Sequence, residues 1–275
     1  MKYLPFLDGK YADQTIFQLD HQYHTYLNNK FECRKEAIDK YYLEKDLYPG
    51  TLIAVNKLFA NLLAKEYPAD FVLTEQEGLY IFHNKITGGT LEWKNDWIAI
   101  EHRSYLSLFD ALSSQVQEDL AICQLENDRD WLAAVHVSAP NHWSPAEKIG
   151  RPFGDLQPVA SGPFTRFSWG ISTDTRLNRH PIPPPGVHPA DWQGRTIDDN
   201  HGKIYLRVER QALVDIPACN AFMCTIRTYF YDIDELQADE KKALLLAVES
   251  ISPSSPGYKG LENKTDVLKR RFQKI

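Results

Sequence analysis

Two stretches in the second half of the chain place charged side chains where strands usually bury apolar ones. Lys203–Ile216 contains Ile204-Tyr-Leu-Arg-Val-Glu-Arg-Gln-Ala-Leu, and Asn220–Ile233 contains Ala221-Phe-Met-Cys-Thr-Ile-Arg-Thr-Tyr-Phe-Tyr. Both are rich in β-branched and aromatic residues, and Asp215–Asn220, with Pro217, supplies a turn between them, so they read as an antiparallel pair. Alternation with period two puts Arg207, Glu209 and Gln211 on one face of the first strand, opposite Leu206, Val208 and Arg210. On the second strand Thr225, Arg227 and Tyr229 lie together, opposite Ile226, Thr228 and Phe230. Side by side, the two strands are expected to join these residues into one polar face inside an apolar sheet. A solvent-facing Glu–Arg bridge is the plain reading of such residues. A buried polar pocket is the chemical one, because charges at strand centres are costly to desolvate unless paired or used.

Other candidates carry less. No two of the nine histidines have the i, i+4 spacing of a helical metal site. His136 lies in an apolar strand-like run, where a satisfied core histidine is commoner than a ligand, and His180, His188 and His201 lie in or beside a proline-rich loop. The chain has no G-x-S-x-G elbow, no Walker loop and no G-x-G-x-x-G, which removes the usual support for hydrolase, kinase and nicotinamide-binding readings. Trp143, Trp169 and Trp192 read as core or pocket wall. Lys148 and Arg151, in Pro145-Ala-Glu-Lys-Ile-Gly-Arg-Pro, would meet an anion if a helix starts there, or else lie in a solvated turn.

These residues need a scaffold. Residues 1–15 read as an extended aromatic arm, and Phe17 to Glu44 as helix, with Leu19, Tyr23, Tyr26 and Leu27 at helical spacing. Pro49-Gly50 breaks the chain, Thr51 caps a second helix, and Pro68 ends it. Phe71–Thr74 and Leu79–His83 are short β runs before a Gly88-Gly89 turn, and Tyr105–Leu120 reads as an amphipathic helix with Ser104 as a possible cap. Strand-like runs follow at Trp131–Ser138 and Phe164–Thr173, with an extended loop over His180–Trp192. Asp239–Ile251 and Thr265–Phe272 close the chain as helices. The pattern predicts one α+β domain over residues 1–275, mostly helical in 1–120 and sheet-containing in 121–275.

A net charge of −6 argues against a nucleic-acid binder, and the basic tail at Lys269, Arg270, Arg271 and Lys274 reads as a solvated helix face. Cys33, Cys123, Cys219 and Cys224 have no zinc spacing and suit a reducing cytoplasm. No apolar run is long enough to span a membrane, and no signal-peptide core is seen.

Asn141-His-Trp-Ser-Pro-Ala-Glu-Lys-Ile-Gly-Arg, Arg166-Phe-Ser-Trp, Leu206-Arg-Val-Glu-Arg-Gln and Thr225-Ile-Arg-Thr-Tyr, in this order, resemble the haem-dependent oxidative N-demethylases. Leu4-Pro5-Phe6, Ser252-Pro253 and Tyr258-Lys259-Gly260-Leu261 extend the resemblance to nearly the whole chain. It implies a PAS-like antiparallel sheet holding haem b, and oxidative demethylation of a small secondary amine such as dimethylamine by oxygen, with release of formaldehyde. It also implies electrons from NADPH through partner reductase subunits carrying FMN and a 2Fe-2S cluster. Within that frame Glu209 is the carboxylate for the cationic amine, while Arg227 and Tyr229 donate to reduced oxygen. Lys148 and Arg166 neutralise the haem propionates, and Trp169 and Arg207 complete the cofactor-binding set.

The sequence departs from the family at one place. The family pattern continues from the Lys148 motif into Phe-x-x-Ile-His-x-Pro-Val and a helix, whereas Phe153-Gly-Asp-Leu156 runs directly into Gln157-Pro158-Val159, with six residues before Arg166. The histidine suited to be the axial ligand is missing, so the metal ligand stays unassigned. Two expectations follow: a break in the chain after Leu156 and again after Ala160, where residues are omitted, or a real loss of haem. The second would leave a non-catalytic PAS-like sensor or small-molecule binding module. A structural partner subunit of a larger oxidase is a third possibility.

Overall fold

The computed structural model describes residues 15–126, 129–152, 163–193, 202–250 and 265–273. Helix α1 (Tyr23–Tyr41) leads into a three-residue strand β1 (Tyr42–Glu44), then α2 (Thr51–Glu66). Strands β2 (Phe71–Gln76), β3 (Leu79–Asn84) and β4 (Gly89–Lys94) form a small antiparallel sheet. The chain continues through α3 (Leu108–Ser113), β5 (Asp119–Glu126), β6 (Arg129–His136), α4 (Pro145–Lys148) and β7 (Phe164–Ser172). It closes with α5 (Pro189–Gln193), the long strands β8 (Tyr205–Ile216) and β9 (Ala221–Asp232), and helices α6 (Ala238–Glu249) and α7 (Thr265–Gln273). The larger sheet has six antiparallel strands in the order β1-β6-β5-β9-β8-β7, which makes the protein α+β.

Alternation gives this sheet two different faces. On the first, Leu120, Ile122, Ala134, Ala212, Val214 and Met223 pack with Phe17, Phe59 and Leu63 of the N-terminal half. Further along the same face Ile171, Leu206 and Val208 pack against Leu244 and Val248 of α6 and Leu268 of α7. A fully buried leucine, isoleucine or valine side chain contributes roughly 1.5–3 kcal/mol. On the second face Ala121, Cys123, Val135, Leu213 and Cys224 form an apolar floor, with Trp143 and Ile149 packed against it.

The helices are shorter than periodicity predicts. The first helix begins at Tyr23 and bends at Ala37 (φ −174°, ψ 100°), and Tyr42–Glu44 peels away to pair with His136–Ala134 of β6. Thr51 is the first helical residue and not a cap. Gly50, at φ 83°, holds the N-cap position, and the Thr51 hydroxyl accepts from Gln124 Nε2 at 3.3 Å. The helix expected over Tyr105–Leu120 is only α3, capped by Ser107 and not Ser104; its last residues enter β5 instead. A long-range pairing of β5 with both β6 and β9 overrides local helical spacing there. The N-terminal arm over residues 1–14, and the junctions after Leu156 and Ala160, lie outside the described residues. Among the described residues, no helix is long and apolar enough to cross a membrane. Cys33, Cys123, Cys219 and Cys224 are free thiols, the first, second and last of them buried.

Candidate functional site

Register decides which polar residues meet. The connection between β8 and β9 pairs Ile216 with Ala221, so Glu209 lies opposite Thr228, Arg207 opposite Phe230 and Arg210 opposite Arg227. Odd positions of β8 therefore share a face with even positions of β9. The single polar face expected from the two strands is split in two: Arg207, Glu209 and Gln211 lie on the second face with Thr228, while Arg227 and Tyr229 lie on the first. A change of one residue in the offset moves every side chain across the sheet, and strand sequences alone do not fix that offset.

On the second face the residues form a continuous ladder. Arg166 of β7 donates from Nε to Gln211 Oε1 at 2.7 Å, and Gln211 Nε2 donates to Glu209 Oε2 at 3.3 Å. Arg207 Nη2 reaches Glu209 Oε1 at 3.2 Å, Thr228 Oγ1 at 3.2 Å and the Ala139 carbonyl at 2.6 Å. Its Nη1 donates to the Leu177 carbonyl at 3.4 Å. Each Glu209 oxygen thus receives one donor, and each retains a lone pair for another. The β7 residues opposite Glu209 and Arg207 are Ser168 and Gly170, so short side chains flank the ladder on that side. Arg207 is 2% exposed, whereas the Glu209 side chain keeps 12%, enough to be reached.

A second carboxylate, unmarked in the sequence reading, sets the position of Arg207. Asp119, at the start of β5, accepts from Ser138 N at 2.7 Å and Ser138 Oγ at 3.0 Å through Oδ1, and from Ala139 N at 2.9 Å through Oδ2. It fixes the turn whose Ala139 carbonyl Arg207 grips. Asp119 was hidden because its segment reads as the end of a helix.

The remaining expected residues lie elsewhere. Arg227, 1% exposed, is bonded to Asp20 Oδ2 at 2.9 Å and to the Thr228 carbonyl at 2.7 Å, and its guanidinium stacks 3.7 Å from the Tyr26 ring. Burial works to raise the Asp20 pKa, but Arg227 beside it holds the carboxyl below its ordinary value. The Tyr26 hydroxyl also donates to the Thr228 carbonyl. These contacts satisfy β9 beyond Ile226, where its pairing with β5 has ended, and assign Arg227 a structural task. Tyr229 packs with the residues under α6 and α7, and burial pushes its hydroxyl pKa up. Trp169 also belongs to that apolar cluster, three residues along β7 from Arg166 and therefore on the opposite face. Lys148 lies exposed at the end of α4, outside the ladder. His136 Nε2 is 3.0 Å from Asp110 Oδ1, and burial lowers its pKa, so it is a core histidine held by a carboxylate.

On its second face the α+β sheet carries a carboxylate, 12% exposed, held between guanidinium and amide groups. The chain belongs to the haem-dependent oxidative N-demethylase family, alpha subunit-like, whose model matches residues 9–161 and 156–269. The two matched stretches meet and overlap at 156–161, the place where the sequence departs from the family pattern. The family name implies haem, and the second face carries cationic residues. Arg166 and Arg207 stand on it with the apolar floor of Ala121, Cys123 and Cys224 alongside, and Arg207 Nε is buried without a hydrogen-bond partner. Guanidinium groups are suited to hold the carboxylates of haem. Among the described residues, no cluster of three or more His, Cys, Asp or Glu side chains could hold a metal ion. His180, whose Nδ1 lies 3.1 Å from Ile182 N, is turned to a local backbone contact.

Proposed function

We propose that this chain is the haem-binding subunit of an oxidative amine N-demethylase, a single PAS-like domain that uses the second face of its sheet. The observation that carries the reading is Glu209, a carboxylate within the polar ladder of that face, oriented from both sides and still partly accessible. A protonated secondary amine such as dimethylamine offers N–H donors and a positive charge that a neutral pocket would not retain. Arg207 and Gln211 keep the carboxylate aimed, and Arg166 holds Gln211 in turn. Haem, when bound, supplies the oxygen activation that the reaction needs.

In the balanced reaction one oxygen atom enters the methyl C–H bond, and the resulting carbinolamine releases formaldehyde and the demethylated amine. The other oxygen atom leaves as water, taking two electrons and two protons that NADPH and solvent supply through reductase subunits. Buried thiols agree with a reducing cytoplasm as the setting. The full chain, loaded with haem and given dimethylamine, oxygen, NADPH and the reductase subunits, is expected to release formaldehyde in step with NADPH consumption. The departure at 156–161 favours the second reading, a module that keeps the pocket without turnover. Amine binding with no formaldehyde in that assay selects the module.

A further inference from the structure

The segment leaving β7 carries one buried and one half-buried cation that the ladder does not use. Arg179, 2% exposed, donates from Nη2 to Ser172 Oγ at 2.9 Å and to Asp174 Oδ1 at 2.5 Å. Its Nε and Nη1 are buried without a hydrogen-bond partner. Arg176 lies with its guanidinium 4.0 Å from the Trp192 ring and donates to the Trp192 carbonyl, and its Nε too is buried and unpartnered. The Trp192 indole is fixed in turn by a 2.6 Å bond from Nε1 to the His180 carbonyl. The same segment meets the ladder, because Arg207 donates to the Leu177 carbonyl. Arg176, Arg179 and Arg207 are therefore neighbours. Among the described residues the carboxylates bonded to their side chains are Asp174 and Glu209, and the Asp174 side chain is 48% exposed.

This leaves more buried positive than negative charge. Burial lowers the pKa of Arg179; Asp174 opposes that shift, while Arg176 and Arg207 add to it. Desolvating an unmatched guanidinium is costly, and a second anion of matching geometry offsets that cost. Unpartnered donors at Arg179 Nε and Nη1, Arg176 Nε and Arg207 Nε suit carboxylates, whose oxygens accept N–H bonds from guanidinium forks.

We infer that Arg176, Arg179 and Arg207 form a carboxylate-recognition site that holds the propionate edge of the haem. The inference rests on the haem reading above and adds Arg176 and Arg179, which no sequence motif marks, to Arg207. It places the acidic edge of the cofactor under the Arg176–Arg179 segment, beyond the Arg207 end of the ladder, and leaves Glu209 for the amine.

The test compares haem with its dimethyl ester, which keeps the ring and iron but removes both negative charges. Full-length apoprotein is titrated with each porphyrin, and binding is read from the Soret band. The wild-type chain is expected to bind haem roughly 10- to 100-fold more tightly than the ester, the range for lost charge-assisted bonds. Arg179→Gln should lose most of that preference by weakening haem and leaving the ester unchanged. Arg176→Gln, at a half-buried position, should do the same to a smaller degree and serves if Arg179→Gln does not fold. Equal wild-type affinity for haem and ester would overturn the inference while leaving the haem reading intact. So would variants that weaken both porphyrins alike. No Soret band with either porphyrin would remove the haem reading and the inference together. Thermal stabilisation of the apoprotein by succinate, with ester bound as tightly as haem, would instead give the cluster to a free anion.

Discussion

Glu209 and Glu118 are both carboxylates removed from bulk water, and their surroundings give them opposite uses. Glu209 has a donor on each oxygen and keeps some access. Glu209→Ala should weaken amine binding by about 1.5–3 kcal/mol, the worth of a hydrogen bond to a charged group. Isothermal titration of the haem-loaded chain reads this, and an unchanged affinity would remove Glu209 from the site. Glu118 is fully buried, accepts from Gln18 N at 2.6 Å through Oε1, and has no partner at Oε2. Burial pushes its pKa up to about 7. The folded chain then holds a proton that the unfolded chain has already released above its ordinary carboxylate range. Stability from this group is full below about pH 4 and is lost as pH rises to about 7. Glu118→Gln should remove that decline, worth on the order of 3 kcal/mol, so urea unfolding of the variant should vary less between pH 4.5 and 7. An identical slope in the two proteins would contradict the assignment. Glu209 was legible in the sequence because a charge interrupts an apolar alternation. Arg179 was not, since it sits in an irregular segment where no periodicity distinguishes a pocket residue from a surface one.

At the scale of elements, β7, β8 and β9 were readable from alternation and turn residues, and so was the helix after Pro49-Gly50. Which faces met was not. The residues Pro217–Asn220 set the offset, and Asn220 completes the turn at φ 44°, ψ 50°, a left-handed conformation that few side chains accept. Asparagine tolerates it, and glycine would too. Asn220→Val should cost about 1–2 kcal/mol and Asn220→Gly much less, measured as shifts in the urea midpoint. Equal losses for both would show that the turn does not depend on that backbone conformation. The same offset explains why Arg227, which looked like an oxygen-side donor, instead closes the part of β9 that β5 leaves unpaired. β5 escaped the sequence reading because its pairing partners are distant, while the residues before it repeat at helical spacing.

At the scale of the whole molecule, the sheet divides the labour between its faces. One is covered by the N-terminal half and by α6 and α7, and there the expected residues Tyr229 and Trp169 serve packing. The other carries Arg166, Arg207, Glu209 and Gln211 over an apolar floor, with Arg176 and Arg179 at one end. Family membership covers nearly the whole chain and accounts for the motifs along β7, β8 and β9. The order of those motifs was legible because it needs only the letters. The division between faces was not, because it depends on how distant segments pair. The central claim is that this second face holds haem. The most direct measurement is the absorbance spectrum of the purified full-length chain titrated with haem. A saturable Soret band reaching one haem per chain is the predicted result. Absence of that band in folded protein would contradict it.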